Sequence, residues 1–158
     1  MQPNPQRILS NPIHCLAFGF GSGLAPKAPG TFGTLAAVPL FLLMSSLSLS
    51  EYLFVVIFAS VAGIYFCDKT AKDLRVHDHP GIVWDEFVGF WITMIAVPVT
   101  WWSLVLGFVL FRLFDIWKPW PIKWVDKHVH GGFGIMLDDI LAGLLALGSL
   151  HLLIYLSS

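Results

Sequence analysis

The chain has 158 residues, enough for one domain with a sizeable core. Apolar residues make up 56% and charged residues 12%, against roughly 25% charged in typical globular chains, and the net charge is −1. That balance offers no basic surface for nucleic acid, and it excludes an ordinary soluble domain with a charged exterior.

The few charges are clustered, leaving residues 28–50, 52–67, 87–111 and 140–158 without any Asp, Glu, Lys or Arg. Several of these runs reach the roughly 18–20 residues that a membrane-spanning helix needs. The expected fold is therefore all-α, a polytopic membrane helical bundle forming one integral-membrane domain over residues 1–158. Residues 1–14 read as a polar lead-in with an interfacial helix from Pro12, not as a cleavable signal, because no apolar core precedes Gly19. Cys15 and Cys67 make no disulfide framework or metal motif, and each reads as a small apolar filler.

Residues 17–35, AFGFGSGLAPKAPGTFGTL, place five glycines around Lys27 and put Thr31 at the start of the following helix. Such a run lets backbone N–H groups approach an anion, and a helix N-terminus adds to that. It lacks the GxxxxGK[ST] spacing of a P-loop, and a flexible connection is the plain alternative. The first long apolar helix runs from Thr31 to about Leu49, with Pro39 inside it. Glu51 marks a short turn, and residues 52–67 return across the bilayer. A charged loop over 68–86 follows, closing on Asp85 and Glu86 at the start of the next apolar run.

The run 87–111 needs a decision. As one helix it would measure about 38 Å, longer than the roughly 30 Å hydrocarbon core. Broken around residues 98–100 it forms a hairpin, and all nine basic residues then fall on one face: Arg7, Lys27, Lys69, Lys72, Arg75, Arg112, Lys118, Lys123 and Lys127. The positive-inside rule makes that face cytoplasmic. Five membrane-embedded helices follow, with the N-terminus inside and the C-terminus outside. Trp101 and Trp102 suit the far interface; Trp117, Trp120 and Trp124 suit the near one. The last helix, about 135–155, carries Asp138 and Asp139 at its mouth and small residues (Ala142, Gly143, Ala146, Gly148) for close packing. His151 reads as an interfacial polar residue.

Carboxylates carried into a membrane helix are costly, roughly 2.5–3.5 kcal/mol each at the bilayer centre, so a chain that keeps them there has a use for them. Asp85, Glu86, Asp138 and Asp139 are expected to hold Mg²⁺, whose hard oxygen preference they suit, with Asp115 a further ligand or a general base. Lys27, Arg112 and Lys118, together with Thr31, are expected to hold a phosphate beside the metal. The histidines His77, His79, His128 and His130 lie in loops without the spacing of a zinc motif. The bland readings are interfacial ion pairs and a basic fringe for anionic lipid headgroups. An ion- or proton-coupled transporter would also use intramembrane carboxylates, but it would set them at mid-helix and show an inverted repeat, which this sequence lacks.

Four segments carry a resemblance: GFGSGLAPKAPGTFGTLAA, TAKDLRVHDHPGIVWDEFVGFWIT, FRLFDIWKPWPIKWVD and VHGGFGIMLDDILAG. In this order, and over about residues 11–143, the chain closely resembles the phosphatidylglycerophosphatase A family of Gram-negative bacteria. The resemblance implies an inner-membrane, magnesium-dependent phosphatase that converts phosphatidylglycerophosphate to phosphatidylglycerol and inorganic phosphate. On that reading a water activated at the Asp85/Glu86/Asp138/Asp139 centre attacks phosphorus, Lys27, Arg112 and Lys118 stabilise the equatorial oxygens, and His130 or His128 protonates the departing glycerol oxygen. An aspartyl-phosphate route through Asp115 or Asp138 is the alternative. The Ser-Gly-His motif of phosphohistidine lipid phosphatases, the Asp-Gly…Ala-Arg array of CDP-alcohol phosphotransferases and the Asp-x-Asp of haloacid-dehalogenase enzymes are all missing.

Overall fold

The segment WDEFVGFWIT, residues 84–93, has apolar side chains all round a helical wheel, and such a helix needs partners on every side. The computed structural model describes residues 3–158. In chain order it contains α1 (Pro5–Ser10), α2 (Pro12–Ala17), a kinked 3₁₀ stretch (Gly19–Leu24), α3 (Pro29–Met44), α4 (Leu49–Leu74), α5 (Trp84–Thr93), α6 (Trp101–Trp117), α7 (Ile122–His128) and α8 (Gly131–Ser157). Among the described residues every regular element is helical.

All ten residues of α5 are buried, and α3, α4, α6 and α8 wrap it. Its two indoles also tie it to its neighbours. Trp84 Nε1 donates to the Ala59 carbonyl of α4 at 3.0 Å, and Trp91 Nε1 donates to the Ala37 carbonyl of α3 at 3.1 Å. The Tyr52 hydroxyl of α4 donates back to the Trp91 carbonyl. Buried N–H and O–H groups need such partners, so these bonds fix the depth and rotation of α5 as well as satisfying the indoles.

The wrapping helices are inside-out relative to a soluble bundle. Phe54, Ile57, Phe58 and Val61 on α4 and Leu144, Leu152 and Leu153 on α8 are exposed. α4 and α8, of 26 and 27 residues, are long and apolar enough to cross a membrane, and only 22% of the most apolar window of each is buried. A core helix of a soluble protein would be mostly buried, and apolar patches of this extent mark a lipid or partner surface. The bundle is less even than the five embedded helices expected from the charge gaps. α4 and α8 reach across by length; α3 and α6, of 16 and 17 residues, fall short of the usual span; α5 is a ten-residue core element.

The break inside the third apolar run is present, over residues 94–100. α5 and α6 pack antiparallel, with Gly107 against Met94 and Gly89 against Phe111. One end of the bundle therefore gathers the starts of α3, α5 and α8 with the ends of α4 and α6, and the elements bearing the nine basic residues all reach it. The opposite end is closed by capping. Ser48 and Glu51 form a capping box at the start of α4, and Thr100 and Ser103 form another at the start of α6. Glu51 is thus a helix cap rather than a turn residue. His151 Nε2 lies 2.8 Å from the Ile95 carbonyl there, tying α8 to the hairpin turn. Trp101 and Trp102 are exposed at this end and Trp117, Trp120 and Trp124 at the other.

One placement differs from expectation. α8 begins at Gly131, so Asp138 and Asp139 stand two turns inside it, about 10 Å from its start at 1.5 Å per residue, rather than at its mouth. The charge gap marks where acids stop, not where the helix begins. Close backbone approach sets α8 against α5. A Cβ on Gly143 would lie 2.6 Å from the Gly89 carbonyl oxygen, and one on Gly89 would lie 2.4 Å from the Phe111 ring. Gly143→Val is expected to cost about 1–3 kcal/mol by overpacking, read as a lowered unfolding midpoint in detergent. Gly148→Val, where a Cβ would meet nothing within 4 Å, should leave that midpoint unchanged.

Candidate active site

The first turn of α5 presents Asp85 and Glu86, where carboxylates complement the helix dipole, and Asp85 Oδ1 accepts from the Glu86 N–H at 3.1 Å. α8 brings Asp139 to them. One carboxylate oxygen from each of the three lies within 4.8 Å of the others, and the residues are only 7%, 9% and 3% exposed. Glu86 Oε2 and Asp139 Oδ2 are buried without any hydrogen-bond partner. Leaving ionised oxygens so costs several kcal/mol per group unless a cation compensates.

Arg112 and Lys118 compensate in part. Arg112 Nη1 pairs with Asp115 Oδ2 one turn along α6 and lies 3.7 Å from Glu86 Oε1. Lys118 Nζ sits 3.9 Å from both Asp115 Oδ1 and Asp138 Oδ2. Lys118 ends α6 in the left-handed region, with φ 53°, where glycine is usual, at a cost of about 1 kcal/mol. That turn aims its ammonium back at the acids. Burial alone would lower its pKa, but Asp115, Asp138 and Asp139 outweigh burial and hold it above the ordinary lysine value. Five carboxylates thus face two cations, with orphaned oxygens pointing inward. The donor set is all oxygen and hard, which fits Mg²⁺.

α3 supplies the remaining wall. Its start has no side-chain cap, and a Cβ on Gly30 would lie 2.8 Å from Glu86 Oε1 and 3.1 Å from Arg112 Nη1. Only a residue without a side chain lets this helix end approach so closely. Thr31, next to it, is half-buried, while Lys27 is exposed in the preceding turn and has no acid within ion-pair distance among the described residues.

The fold therefore brings together Asp85, Glu86, Asp139, Asp115, Arg112 and Lys118. Asp138 stands apart from the other three expected ligands. It turns toward a cleft of about 310 Å³ lined by His77, Asp78, Asp126, Val129, His130 and Gly134, among others. His130 Nδ1 meets His77 Nε2 at 3.1 Å in that cleft. His128 lies elsewhere, stacked on Trp124 with ring centroids 4.6 Å apart and Nδ1 2.8 Å from the Trp124 carbonyl. Gly30, His77, Asp78 and Asp126 were not singled out as site residues by the sequence. A glycine-rich run does not reveal which glycine touches an acid, and loop histidines far apart in the chain carry no spacing signal.

A sequence model described as phosphatidylglycerophosphatase A matches residues 15–154. The chain is 56% identical over 144 residues to phosphatidylglycerophosphatase A of Escherichia coli K12, covering 90% of this chain and 84% of that protein.

The chain belongs to the phosphatidylglycerophosphatase A family.

It is 49% identical over 147 residues to the Haemophilus influenzae Rd phosphatidylglycerophosphatase A, covering 90% of each. A Bacteroides thetaiotaomicron relative, provisionally named a phosphatidylinositol-3-phosphatase, is 40% identical over 134 residues, covering 79% of this chain and 82% of its own. No solved structure matches. As a phosphatidylglycerophosphatase A family member the chain is a phosphatase, and nothing in these relatives favours a transporter. Placing a methyl group between α3 and the acids tests the geometry directly. Gly30→Ala is expected to lower turnover by about 10²-fold, the scale of a roughly 1 Å misplacement, with little change in unfolding midpoint.

Proposed function

We propose that the chain hydrolyses the terminal phosphomonoester of phosphatidylglycerophosphate, releasing phosphatidylglycerol and inorganic phosphate, at a Mg²⁺ centre held by Asp85, Glu86 and Asp139. The observation that carries this is the convergence of those three buried carboxylates within 4.8 Å, two of them with orphaned oxygens, beside Arg112. The names of the relatives supply the lipid. The nine basic residues at the site's end of the bundle support a cytoplasmic-facing centre in a bacterial inner membrane, with the helices around α5 embedded in the bilayer.

Bound there, Mg²⁺ supplies positive charge for a phosphoryl oxygen and lowers the pKa of water. The protein groups do the rest. Arg112 keeps a buried Nε without a partner, a free donor for a phosphate oxygen even while Nη1 holds Asp115. Lys118 adds a point charge, and the uncapped start of α3 at Gly30 and Thr31 offers backbone N–H groups. Lys27 is placed to meet the incoming phosphate from solvent rather than to bind it in the transition state. Asp115, held by Arg112 and Lys118, positions these cations and is not free to act as a base. Asp138 turns into the neighbouring cleft, so the attacking water gives its proton to solvent rather than to that carboxylate. The new P–O bond forms as the bond to the glycerol oxygen breaks, and that oxygen takes its proton from solvent.

Asp85→Asn, Glu86→Gln and Asp139→Asn are each expected to lower phosphate release by about 10²–10³-fold while the protein still inserts in membranes. Chelation with EDTA should stop release and Mg²⁺ restore it; full activity in chelator would sink the metal assignment. In mixed micelles phosphatidylglycerophosphate should be cleaved faster than phosphatidylinositol 3-phosphate, and the reverse order would overturn the choice of headgroup.

A further inference from the structure

Asp138 and Asp139 are neighbours on α8, yet they serve different spaces. Asp139 joins the Asp85–Glu86 centre, while Asp138 turns into the cleft lined by His77, Asp78, Asp126 and His130. Asp138, which lines that cleft, is 7% exposed, and its Oδ1 is buried without a hydrogen-bond partner. Asp126 lines the same cleft as Asp138, and Asp78 is a third acid in its wall. Among the described residues Lys118, shared with Asp115, is the cation within ion-pair distance of Asp138, 3.9 Å from its Oδ2. A cleft so lined repels phosphate and calls for a cation.

The histidines give the site a second kind of donor. His130 and His77 come from different loops and meet through Nδ1 and Nε2 at 3.1 Å with their rings nearly perpendicular. When His130 Nδ1–H donates to His77 Nε2, the lone pair of His130 Nε2 is left free in a cleft that also holds the two acids. A metal-binding histidine is usually held in this way, its other ring nitrogen engaged by an outer partner that fixes tautomer and orientation. We propose a second divalent-cation site in this cleft, with Asp126, Asp138 and His130 as ligands and His77 as the residue that orients His130. Its mixed oxygen and nitrogen donors suit Mn²⁺ or Zn²⁺ rather than the Mg²⁺ of the all-oxygen centre. Asp126 and His130 are exposed side chains that can turn onto the ion, with buried Asp138 as the fixed ligand.

The test is Mn²⁺ titration of the full detergent-solubilised chain, followed by electron paramagnetic resonance of free and bound Mn²⁺. Two equivalents per chain are expected in the native protein. His130→Gln and Asp126→Asn should each leave one, and His77→Ala should weaken one by about 10–100-fold while keeping it. Glu86→Gln should remove the other equivalent. The equivalent retained in each cleft variant reports that the chain is folded. A single native equivalent, lost in Glu86→Gln and kept in Asp126→Asn, would overturn the second site and leave the phosphatase reading standing. Two equivalents persisting in His130→Gln and Asp126→Asn would mean adventitious surface binding and would equally overturn it. Loss of Mn²⁺ only in the cleft variants would support the cleft site and remove the metal centre on which the proposed function rests.

Discussion

The buried carboxylates at the start of α5 are the constraint to which the rest of the bundle answers. Asp85 and Glu86 have little access to water, and Asp139 joins them from α8. Uncompensated, such groups would cost more than most single contacts can return. Arg112, Lys118 and the uncapped start of α3 are each placed to reduce that cost, and a Mg²⁺ bound as proposed would reduce it further. Of the helices that wrap α5, α3 and α6 contribute to this compensation, α8 adds Asp139 to the charge, and α4, through Ala59 and Tyr52, fixes the helix that carries it. Stability and chemistry therefore rest on the same groups, which makes the site sensitive to overpacking at Gly30 and Gly143.

Much of this was legible in the residues. Asp85 and Glu86 stand where a charged loop meets an apolar run, and a carboxylate pair at that boundary is expensive enough to be informative. The hairpin was legible because nine basic residues cannot share one face if residues 87–111 form a single span. The role of α5 was not legible. Side chains that face lipid and side chains that face other helices are equally apolar, so hydropathy could not separate a ten-residue core helix from a spanning one. The division of labour between Asp138 and Asp139 was hidden for a related reason. Adjacent helical residues point about 100° apart, and which one faces the metal centre depends on the rotation of α8, which is set by its glycine contacts with α5. The meeting of His77 and His130 depends on where two loops end, which no local pattern encodes.

The depth of the acids also changes what the protein asks of its lipid. Asp139 lies two turns inside α8, so a phosphate that reaches it must move inward past the start of that helix. Arg112 and Lys118, on and just beyond the end of α6, line that path with positive charge. On the function proposed above, such a site would select by reach: the scissile phosphate would have to stand on a tether long enough to enter while the acyl chains remain among their neighbours.

The two capping boxes at the far end carry a consequence for the surface the bundle presents there. Ser48 with Glu51 and Thr100 with Ser103 satisfy the first backbone donors of α4 and α6 from within the chain. Each of the two helical hairpins therefore brings a self-sealed tip. Only one carboxylate, Glu51, belongs to those tips, and it already binds a backbone N–H. The tips therefore bring almost no unsatisfied formal charge to that end of the apolar surface that α4 and α8 present.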